Sequence, residues 1–155
     1  MQDPKSLTSV ALFHETFKHP VLPSPAIPDQ ARCDLRVALL AEELKELQEG
    51  IVNKDIVEIA DALCDLQYVL SGAILEFGLG EKFKALFDEV QRSNMSKACK
   101  SIEEAKATVL HYELKGTPSF FQQEGDIYLV FREGDRKTLK SVGYYPADLE
   151  GIIKN

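Results

Sequence analysis

Carboxylates are concentrated in one stretch of this sequence, and they are the side chains best suited to chemistry. Residues 42–65 contain eight acidic residues and only two lysines, which gives a net charge of −6. The whole chain carries −7, so the rest of the sequence sums to −1. The acidic residues are Glu42, Glu43, Glu46, Glu49, Asp55, Glu58, Asp61 and Asp65. The acidity is therefore a local feature that requires a local explanation.

The spacing of these carboxylates is typical of helix faces. Glu43 and Glu46 are separated by three positions, so they are neighbours on one face of a helix. Glu58, Asp61 and Asp65 follow at i, i+3 and i+7, which also places them on one face. Two acidic helix faces are therefore predicted, one on each of two consecutive helices.

A solvated helix surface is the alternative to a functional site. Such a surface usually interleaves Lys or Arg, because like charges at i,i+4 destabilise a helix by about 0.2–0.5 kcal/mol per pair. No basic residue occurs between Asp55 and Glu81, and apolar residues flank the second acidic face, so its helix is predicted to be buried with its carboxylates lining a cleft. Clustered carboxylates in a cleft need a counter-ion. We therefore predict a Mg²⁺ site, with Mn²⁺ as the alternative, since both bind hard oxygen ligands.

Helices are the elements that must position these residues. Apolar spacing predicts a first helix over 6–18, and four prolines between residues 20 and 28 predict an extended connector. Further helices are predicted over 29–49, 53–77, 81–97 and 101–112. The predicted core stripe of the third helix consists of Ile56, Ile59, Leu63, Leu66 and Leu70.

The sequence changes character after Gly116. Residues 126–131 and 137–145 are predicted to pair as a small β-hairpin, and Pro146 is predicted to open a last short helix. We therefore predict two domains: residues 1–112, with a proline-rich connector at 20–29, and a C-terminal appendage over 113–155.

Length and composition exclude several classes of protein. The 155 residues, 45% of them hydrophobic, fit a globular chain rather than a disordered one. No apolar run reaches the roughly 18 residues that span a bilayer, and the N-terminal segment lacks a signal-peptide pattern. The net charge of −7 disfavours nucleic acid as a partner. Three cysteines without paired spacing are typical of reduced thiols, so we expect a cytoplasmic protein with neither membrane nor nucleic-acid partners.

The acidic spacing resembles a known superfamily. The segments AEELKELQEG and IVEIADALCD give E-E-x-x-E, eleven residues, then E-x-x-D. This resembles the all-α nucleoside triphosphate pyrophosphohydrolases, which include MazG-like proteins, dimeric dUTPases and phosphoribosyl-ATP pyrophosphohydrolases. The segments ALFHETFKHP, ADALCDLQYVLSGA and FDEVQRSNMSK are similar to one MazG-like branch, so the resemblance covers residues from about 7 to 100. It implies an all-α fold, a MazG-like helical bundle core with a small C-terminal β-hairpin extension.

The resemblance also implies roles for individual residues. The metal ligands of the family match Glu43, Glu46, Glu58 and Asp61, and Glu42 matches an outer ligand or a residue that orients water. Glu43 and Glu46 are the candidate general bases, and the sequence does not choose between them.

Five further positions are candidate substrate contacts, three of them from the resemblance. Asp65 resembles an additional acidic position near the metal or nucleotide, and Asn94 and Lys97 match a polar pair that contacts the nucleotide or its phosphates. His14 is a candidate for the nucleotide pocket, with a structural role as the alternative. Lys140 is a candidate for a phosphate-facing lid together with Arg136 and Lys137, with a solvated hairpin as the alternative.

The resemblance implies Mg²⁺-dependent hydrolysis between the α- and β-phosphates, which yields a nucleoside monophosphate and pyrophosphate. A house-cleaning enzyme acting on dUTP or another pyrimidine deoxynucleotide is the first hypothesis. The alternatives are a phosphoribosyl-ATP pyrophosphohydrolase of histidine biosynthesis and a non-catalytic metal-binding helical module. Because the superfamily pairs such units into bundles, we also expect a homodimer or a dimer of dimers.

Overall fold

The fold is mostly helical with one small hairpin. A computed structural model describes residues 2 and 4–154; residues 1, 3 and 155, at the ends of the two predicted domains, lie outside the described residues. The elements in the described part of the chain are α1 (Ser6–Phe17), α2 (Gln30–Asn53), α3 (Ile56–Glu76), α4 (Phe83–Met95), α5 (Ile102–Glu113), β1 (Ser119–Glu124), β2 (Ile127–Arg132) and α6 (Leu149–Lys154). The predicted fold class is confirmed. No helix among these residues is long and apolar enough to cross a membrane.

The chain forms two compact units, which meet in sequence between Lys84 and Ala85. The first unit contains α1, α2 and α3, and the second contains α5, both strands and α6, while α4 begins at the end of the first unit. The predicted domain boundary at residue 112 stays a prediction. The three cysteines are free thiols.

The long antiparallel hairpin of α2 and α3 is the framework of the first unit. Helix α2 continues four residues beyond its predicted end, because Lys54, not Gly50, adopts the left-handed conformation that closes the helix. The Asp55 side chain then caps α3, accepting hydrogen bonds from the backbone N–H groups of Val57 (2.9 Å) and Glu58 (3.3 Å). The corner between the two helices is therefore short and fixed.

Two close approaches set the register of this hairpin. A Cβ on Gly50 would lie 3.1 Å from the backbone N of Ile59, and a Cβ on Gly72 would lie 2.6 Å from Nη1 of Arg36. Interpolation between these two contacts in an antiparallel pair places Glu43 level with Asp65. The hairpin therefore brings the acidic face of α2 against the acidic face of α3.

The stripe of α3 that was predicted to be buried in the core is largely exposed in the single chain, so this prediction is wrong. Ile56 is 74% exposed, Leu63 51% and Leu70 42%, and only Ile59 and Leu66 are half-buried. The packing of α3 against α1 and α2 leaves this side of the helix uncovered. The fully buried residues of α3 lie instead in its C-terminal half, from Ser71 to Glu76, with Ala62 as the exception.

The proline-rich segment is an extended connector, as predicted. The backbone N–H of Leu22 donates to the carbonyl of Leu75 (3.1 Å), and that of Ala26 donates to the carbonyl of Phe77 (3.1 Å). These bonds fasten the connector across the C-terminal end of α3 and satisfy carbonyl groups that the helix leaves unpaired there.

The predicted C-terminal hairpin is found in part. Residues 137–139 pair with the end of β2 through an antiparallel bridge between Phe131 and Thr138 and a hydrogen bond from Leu139 N–H to the carbonyl oxygen of Val130 (2.8 Å). The main partner of β2 is the preceding strand β1, which was not predicted, in a register that sets Glu124 opposite Ile127. The prediction missed the two-residue connection at Gly125, whose φ of 57° is the left-handed value that tight hairpin turns favour. The second unit is centred on a small core of Cys99, Ala105, Val130 and Leu139.

Candidate active site

The two acidic helix faces meet on the first unit. The charges of Glu46, Asp65, Glu42 and Asp61 all act on the Glu43 carboxylate, so residues of both helices are close to it. Glu58 lies nearer the closed end of the hairpin, where its Cβ is 3.3 Å from the position of a Cβ on Gly50.

Glu43 is distinguished from the other acidic residues by its surroundings. It is half-buried, whereas Glu42, Glu46, Glu58, Asp61 and Asp65 are exposed. Burial, followed by the repulsion of the four neighbouring carboxylates, raises the pKa of Glu43 above its ordinary value. Its Oε2 atom is buried and has no hydrogen-bond partner in the described part of the chain. A buried carboxylate oxygen without a donor is destabilising unless a cation or another donor meets it.

The donor set fits a hard divalent cation. All six candidate side chains supply carboxylate oxygens, and the unpartnered Oε2 of Glu43 lies among them. Within the described residues, no group of three or more acidic, histidine or cysteine side chains lies close enough together to hold a metal ion by itself. Mg²⁺ does not need one, because it is usually held by one or two carboxylates and completed by water and substrate phosphates. The sequence prediction of a carboxylate metal site is therefore compatible with this arrangement.

A buried ionic network lies farther along the same hairpin, and sequence analysis did not find it. Glu76 is fully buried and accepts hydrogen bonds from the guanidinium groups of Arg32 and Arg36. Burial alone would raise the pKa of Glu76, but the hydrogen bonds from Arg36 and Arg32 outweigh burial and lower it. The signals in the sequence were an acid within the apolar segment VLSGAILEFG and two arginines at i,i+4.

His14 belongs to this network. Its Nδ1 lies 2.9 Å from the carbonyl oxygen of Pro20, which can only accept, so Nδ1 carries the proton and Nε2 accepts from Arg36 Nη2 at 3.4 Å. Burial lowers the pKa of His14 and favours this neutral form. The ring is therefore fixed by structural contacts, and its predicted role toward the nucleotide stays a prediction.

A cavity of about 230 Å³ opens beside His14. Its lining includes Arg36, Phe13, Tyr68 and Gly72. The rings of Phe13 and Tyr68 meet edge to face at 5.6 Å between centroids. The Nε of Arg36 is buried without a hydrogen-bond partner among the described residues. The cavity thus combines aromatic surface with the arginine that carries this unpaired donor.

The cavity adjoins the acidic faces along the hairpin. Its lining residues Leu39 and Tyr68 lie about one helical turn from Glu43 and Asp65, respectively. The aromatic cavity and the carboxylates therefore occupy neighbouring parts of the first unit.

The remaining candidate residues belong to the second unit. Lys97 Nζ donates to Oδ1 of Asn94 (2.8 Å), which brings these two predicted phosphate contacts together. Lys140 places its Nζ 4.2 Å from the ring centroid of Tyr144. Sequence analysis missed Tyr144, since an isolated tyrosine carries no spacing signal. The roles of these residues toward a substrate stay predictions.

An all-α unit in which two antiparallel helices bring their carboxylates together fits the class of all-α nucleotide pyrophosphohydrolases. The sequence model of the family described as phosphoribosyl-ATP pyrophosphohydrolase matches residues 10–94, more than half of the chain. The chain belongs to this family, and thereby to the MazG-like superfamily, as predicted. It is a hydrolase that acts on phosphoric anhydrides. No curated protein matches the chain.

Proposed function

We propose that the protein is a Mg²⁺-dependent nucleoside triphosphate pyrophosphohydrolase that cleaves between the α- and β-phosphates. The observation that carries this proposal is the meeting of the two acidic faces at Glu43, whose buried Oε2 has no other partner. The family match supports a pyrophosphohydrolase.

The proposed metal ligands are Glu43, Glu46, Glu58 and Asp61, with Glu42 as an outer ligand. Mg²⁺ bound there would neutralise the triphosphate and the leaving pyrophosphate. Glu43 or Glu46 accepts the proton of the attacking water, a role for which a carboxylate close to the phosphates is suited. Asp65 lies near the metal or the nucleotide, and orienting the attacking water is the alternative role of Glu42. Mn²⁺ is the alternative metal because it accepts the same oxygen ligands.

The proposed base-binding site is the cavity beside His14. Its volume of about 230 Å³ is smaller than a pocket for a whole nucleotide, which is about 300–1,000 Å³. It suits one ring system, which would stack on Phe13 or Tyr68 and accept a hydrogen bond from Arg36 Nε. A pyrimidine deoxynucleotide such as dUTP is therefore the first candidate substrate.

Phosphoribosyl-ATP is the second candidate substrate, and the family match is the observation that favours it. Both hypotheses share the same bond cleavage and the same carboxylates. They differ in the part of the substrate that must bind beside the acidic faces, so measuring turnover of both kinds of substrate distinguishes them.

We also propose that the protein acts as a homodimer or a dimer of dimers in the cytoplasm. Large apolar side chains on α2 and α3 are exposed in the single chain, among them Val52 (79%) and Ile56 (74%). Burying each such side chain contributes about 1.5–3 kcal/mol, which supports a second copy of the chain as the partner of this face. The free thiols agree with a reducing compartment.

The test is release of pyrophosphate and orthophosphate from ribo- and deoxynucleoside triphosphates and from phosphoribosyl-ATP, with Mg²⁺ or EDTA. Glu46→Gln is expected to lower turnover at least about 100-fold. Glu49→Gln is the matched control, because Glu49 lies on the same helix but pairs with Lys45 at 3.3 Å on an exposed surface. Pyrophosphate from phosphoribosyl-ATP alone would select the second substrate, and turnover equal in EDTA would contradict the metal requirement.

A further inference from the structure

Strand β1 has one edge without a strand partner in the described part of the chain. The sheet has only two strands, so β1 pairs on one side alone. The N–H of Glu133 donates to the carbonyl oxygen of Pro118 (2.9 Å), and in an antiparallel ladder such pairs alternate with pairs whose backbone groups point away from the partner. In the observed register the N–H and C=O groups of Ser119, Phe121 and Gln123 therefore point away from β2. We call these groups the free edge of β1.

The opposite edge of the hairpin is occupied. The N–H of Leu139 donates to the carbonyl oxygen of Val130 (2.8 Å), and Tyr128 exchanges two N–H···O=C bonds with Cys99 (2.8 and 2.9 Å). These bonds use the groups of β2 that point away from β1, which agrees with the alternation. Unpaired edges are usually blocked by Lys, Pro or a bulge. The sequence of β1, SFFQQE, contains neither Lys nor Pro, and its register with β2 is continuous, so the free edge is open to another strand.

Carboxylates surround the free edge. At its first end, Glu113 and Glu133 line a cavity of about 300 Å³ together with Ser119. At its other end, Glu124 closes β1 and Asp126 follows in the turn. None of these four carboxylates forms an ion pair with a Lys or Arg side chain in the described part of the chain. Both ends of the free edge therefore favour positive charge.

These charges disfavour a second copy of the chain as the occupant of the edge. Two copies of β1 that pair antiparallel about a two-fold axis at Phe121 would set Glu124 of each copy opposite Pro118 of the other. Because Pro118 is itself opposite Glu133 in the hairpin, Glu124 and Glu133 of different copies would become neighbours and repel each other. A basic segment meets the opposite situation, since each of its ends lies beside a carboxylate.

The outer face of the hairpin offers apolar surface beside the same edge. Four half-buried side chains lie on this face, those of Phe120, Ile127, Leu129 and Phe131. The guanidinium of Arg136 lies 5.4 Å from the ring centroid of Phe120 and 5.1 Å from that of Phe131. Phe120 belongs to β1, so apolar side chains of an added strand would contact its ring.

We propose that the free edge of β1 binds an extended, basic peptide segment by strand addition. The backbone of the segment pairs with the outward N–H and C=O groups of Ser119, Phe121 and Gln123, which supplies affinity without a sequence requirement. Specificity comes from the side chains, because basic residues at the two ends lie beside Glu133 and Glu124 and an apolar residue lies on Phe120. The site belongs to the second unit alone, and it is independent of the proposed hydrolysis.

The probe is a synthetic peptide, acetylated and amidated, with the sequence Lys-Thr-Val-Thr-Val-Thr-Lys. Its length matches positions 118–124, and its side-chain pattern is the same in both directions, so it does not presuppose an orientation. The full chain is titrated at low salt and followed by ¹H–¹⁵N NMR. The amides of Ser119, Phe121 and Gln123 should shift and gain protection from exchange, whereas those of Phe120 and Gln122 already point toward β2 and should change less. A peptide with Glu in place of both Lys residues should bind at least about ten-fold more weakly.

Two kinds of variant test the two parts of the site. Gln123→Pro removes an outward N–H without removing a bond within the hairpin, so it should weaken binding at least about ten-fold. Gln123→Thr keeps the N–H and is its matched control. Glu133→Gln and Glu113→Gln should each weaken binding about two- to five-fold at low salt, and the loss should disappear at high salt. Glu150→Gln, which removes an exposed carboxylate of α6, should bind like the wild type.

The absence of shifts at the free-edge amides with millimolar peptide would overturn the proposal. Equal affinity of the Lys and Glu peptides, or of Gln123→Pro and Gln123→Thr, would do so as well. If the same amides shift with protein concentration without peptide, and Gln123→Pro lowers the molar mass measured by light scattering, the occupant is a second copy and the proposed partner is wrong. If Gln123→Pro lowers the melting temperature strongly, the comparison of the two peptides and the Glu133→Gln variant decide instead.

Discussion

The negative charge of Glu43 is expected to destabilise the folded protein. Glu43→Gln should therefore raise the free energy of unfolding and abolish activity. Four carboxylates, those of Glu42, Glu46, Asp61 and Asp65, act on Glu43. At about 0.2–0.5 kcal/mol for each like-charge pair, removing this charge should raise the free energy of unfolding by about 1–2 kcal/mol. For a chain of this length, 1 kcal/mol corresponds to a rise of roughly 2–4 °C in melting temperature.

The stability that Glu43→Gln gains should be larger at neutral pH than at acidic pH. The folded chain raises the pKa of Glu43 above its unfolded value, so the folded state holds the proton more tightly. The contribution of Glu43 to wild-type stability is therefore greatest below the pKa of Glu43 in the unfolded state, and it is lost as the pH rises through the pKa of Glu43 in the folded state. Glu43→Gln should therefore gain stability at neutral pH and gain almost nothing below about pH 4, where Glu43 is mostly protonated.

Urea unfolding in EDTA, at pH 7.5 and below pH 4, measures both effects. Glu49→Gln, which breaks the exposed pair with Lys45, should show no gain at either pH. A Glu43→Gln variant that is less stable than wild type at pH 7.5, or whose gain persists below pH 4, would refute the electrostatic argument.

Three other substitutions test the framework of the first unit. Glu76→Gln should lower the free energy of unfolding, measured by urea denaturation, by about 3–5 kcal/mol, because it leaves Arg32 and Arg36 without their buried counter-charge. A decrease of less than about 1 kcal/mol would contradict this prediction. Gly72→Ala should cost about 1–3 kcal/mol in the same assay, since its Cβ would lie 2.6 Å from Arg36 Nη1, and an unchanged urea midpoint would count against it. Ile56→Asp should give a monomer of about 17 kDa by light scattering, while wild type gives a multiple of that mass; a wild-type monomer would exclude the proposed assembly.

The sequence was sufficient to predict the acidic helices because their signals are local. The i,i+3 spacing of Glu43 and Glu46 and the apolar periodicity of α2 and α3 depend on helix geometry alone. The resemblance to the pyrophosphohydrolases rested on the same stretch, and the family match over residues 10–94 confirms it.

The predictions were wrong or incomplete where the structure depends on contacts between residues that are distant in the sequence. Residues 126–131 were predicted to pair with 137–145; this pairing is present only as the bridge at Phe131 and Thr138, and the longer pairing is with β1 across the tight turn at Gly125, which the prediction missed. The apolar stripe that includes Ile56 was interpreted as a core, although periodicity does not distinguish a face buried within the chain from one left exposed. The network of His14, Arg36 and Glu76 joins three separate segments, so the local signals, an acid in an apolar segment and two arginines at i,i+4, did not identify which residues pair.

Hydrolysis in ¹⁸O-enriched water with Mg²⁺, followed by mass spectrometry of the products, tests the central claim most directly. If water attacks the α-phosphorus beside the carboxylates of α2 and α3, the label should enter the nucleoside monophosphate, the pyrophosphate should remain unlabelled, and Glu46→Gln should abolish both products. Label in pyrophosphate, or release of orthophosphate and a nucleoside diphosphate, would contradict the proposed reaction.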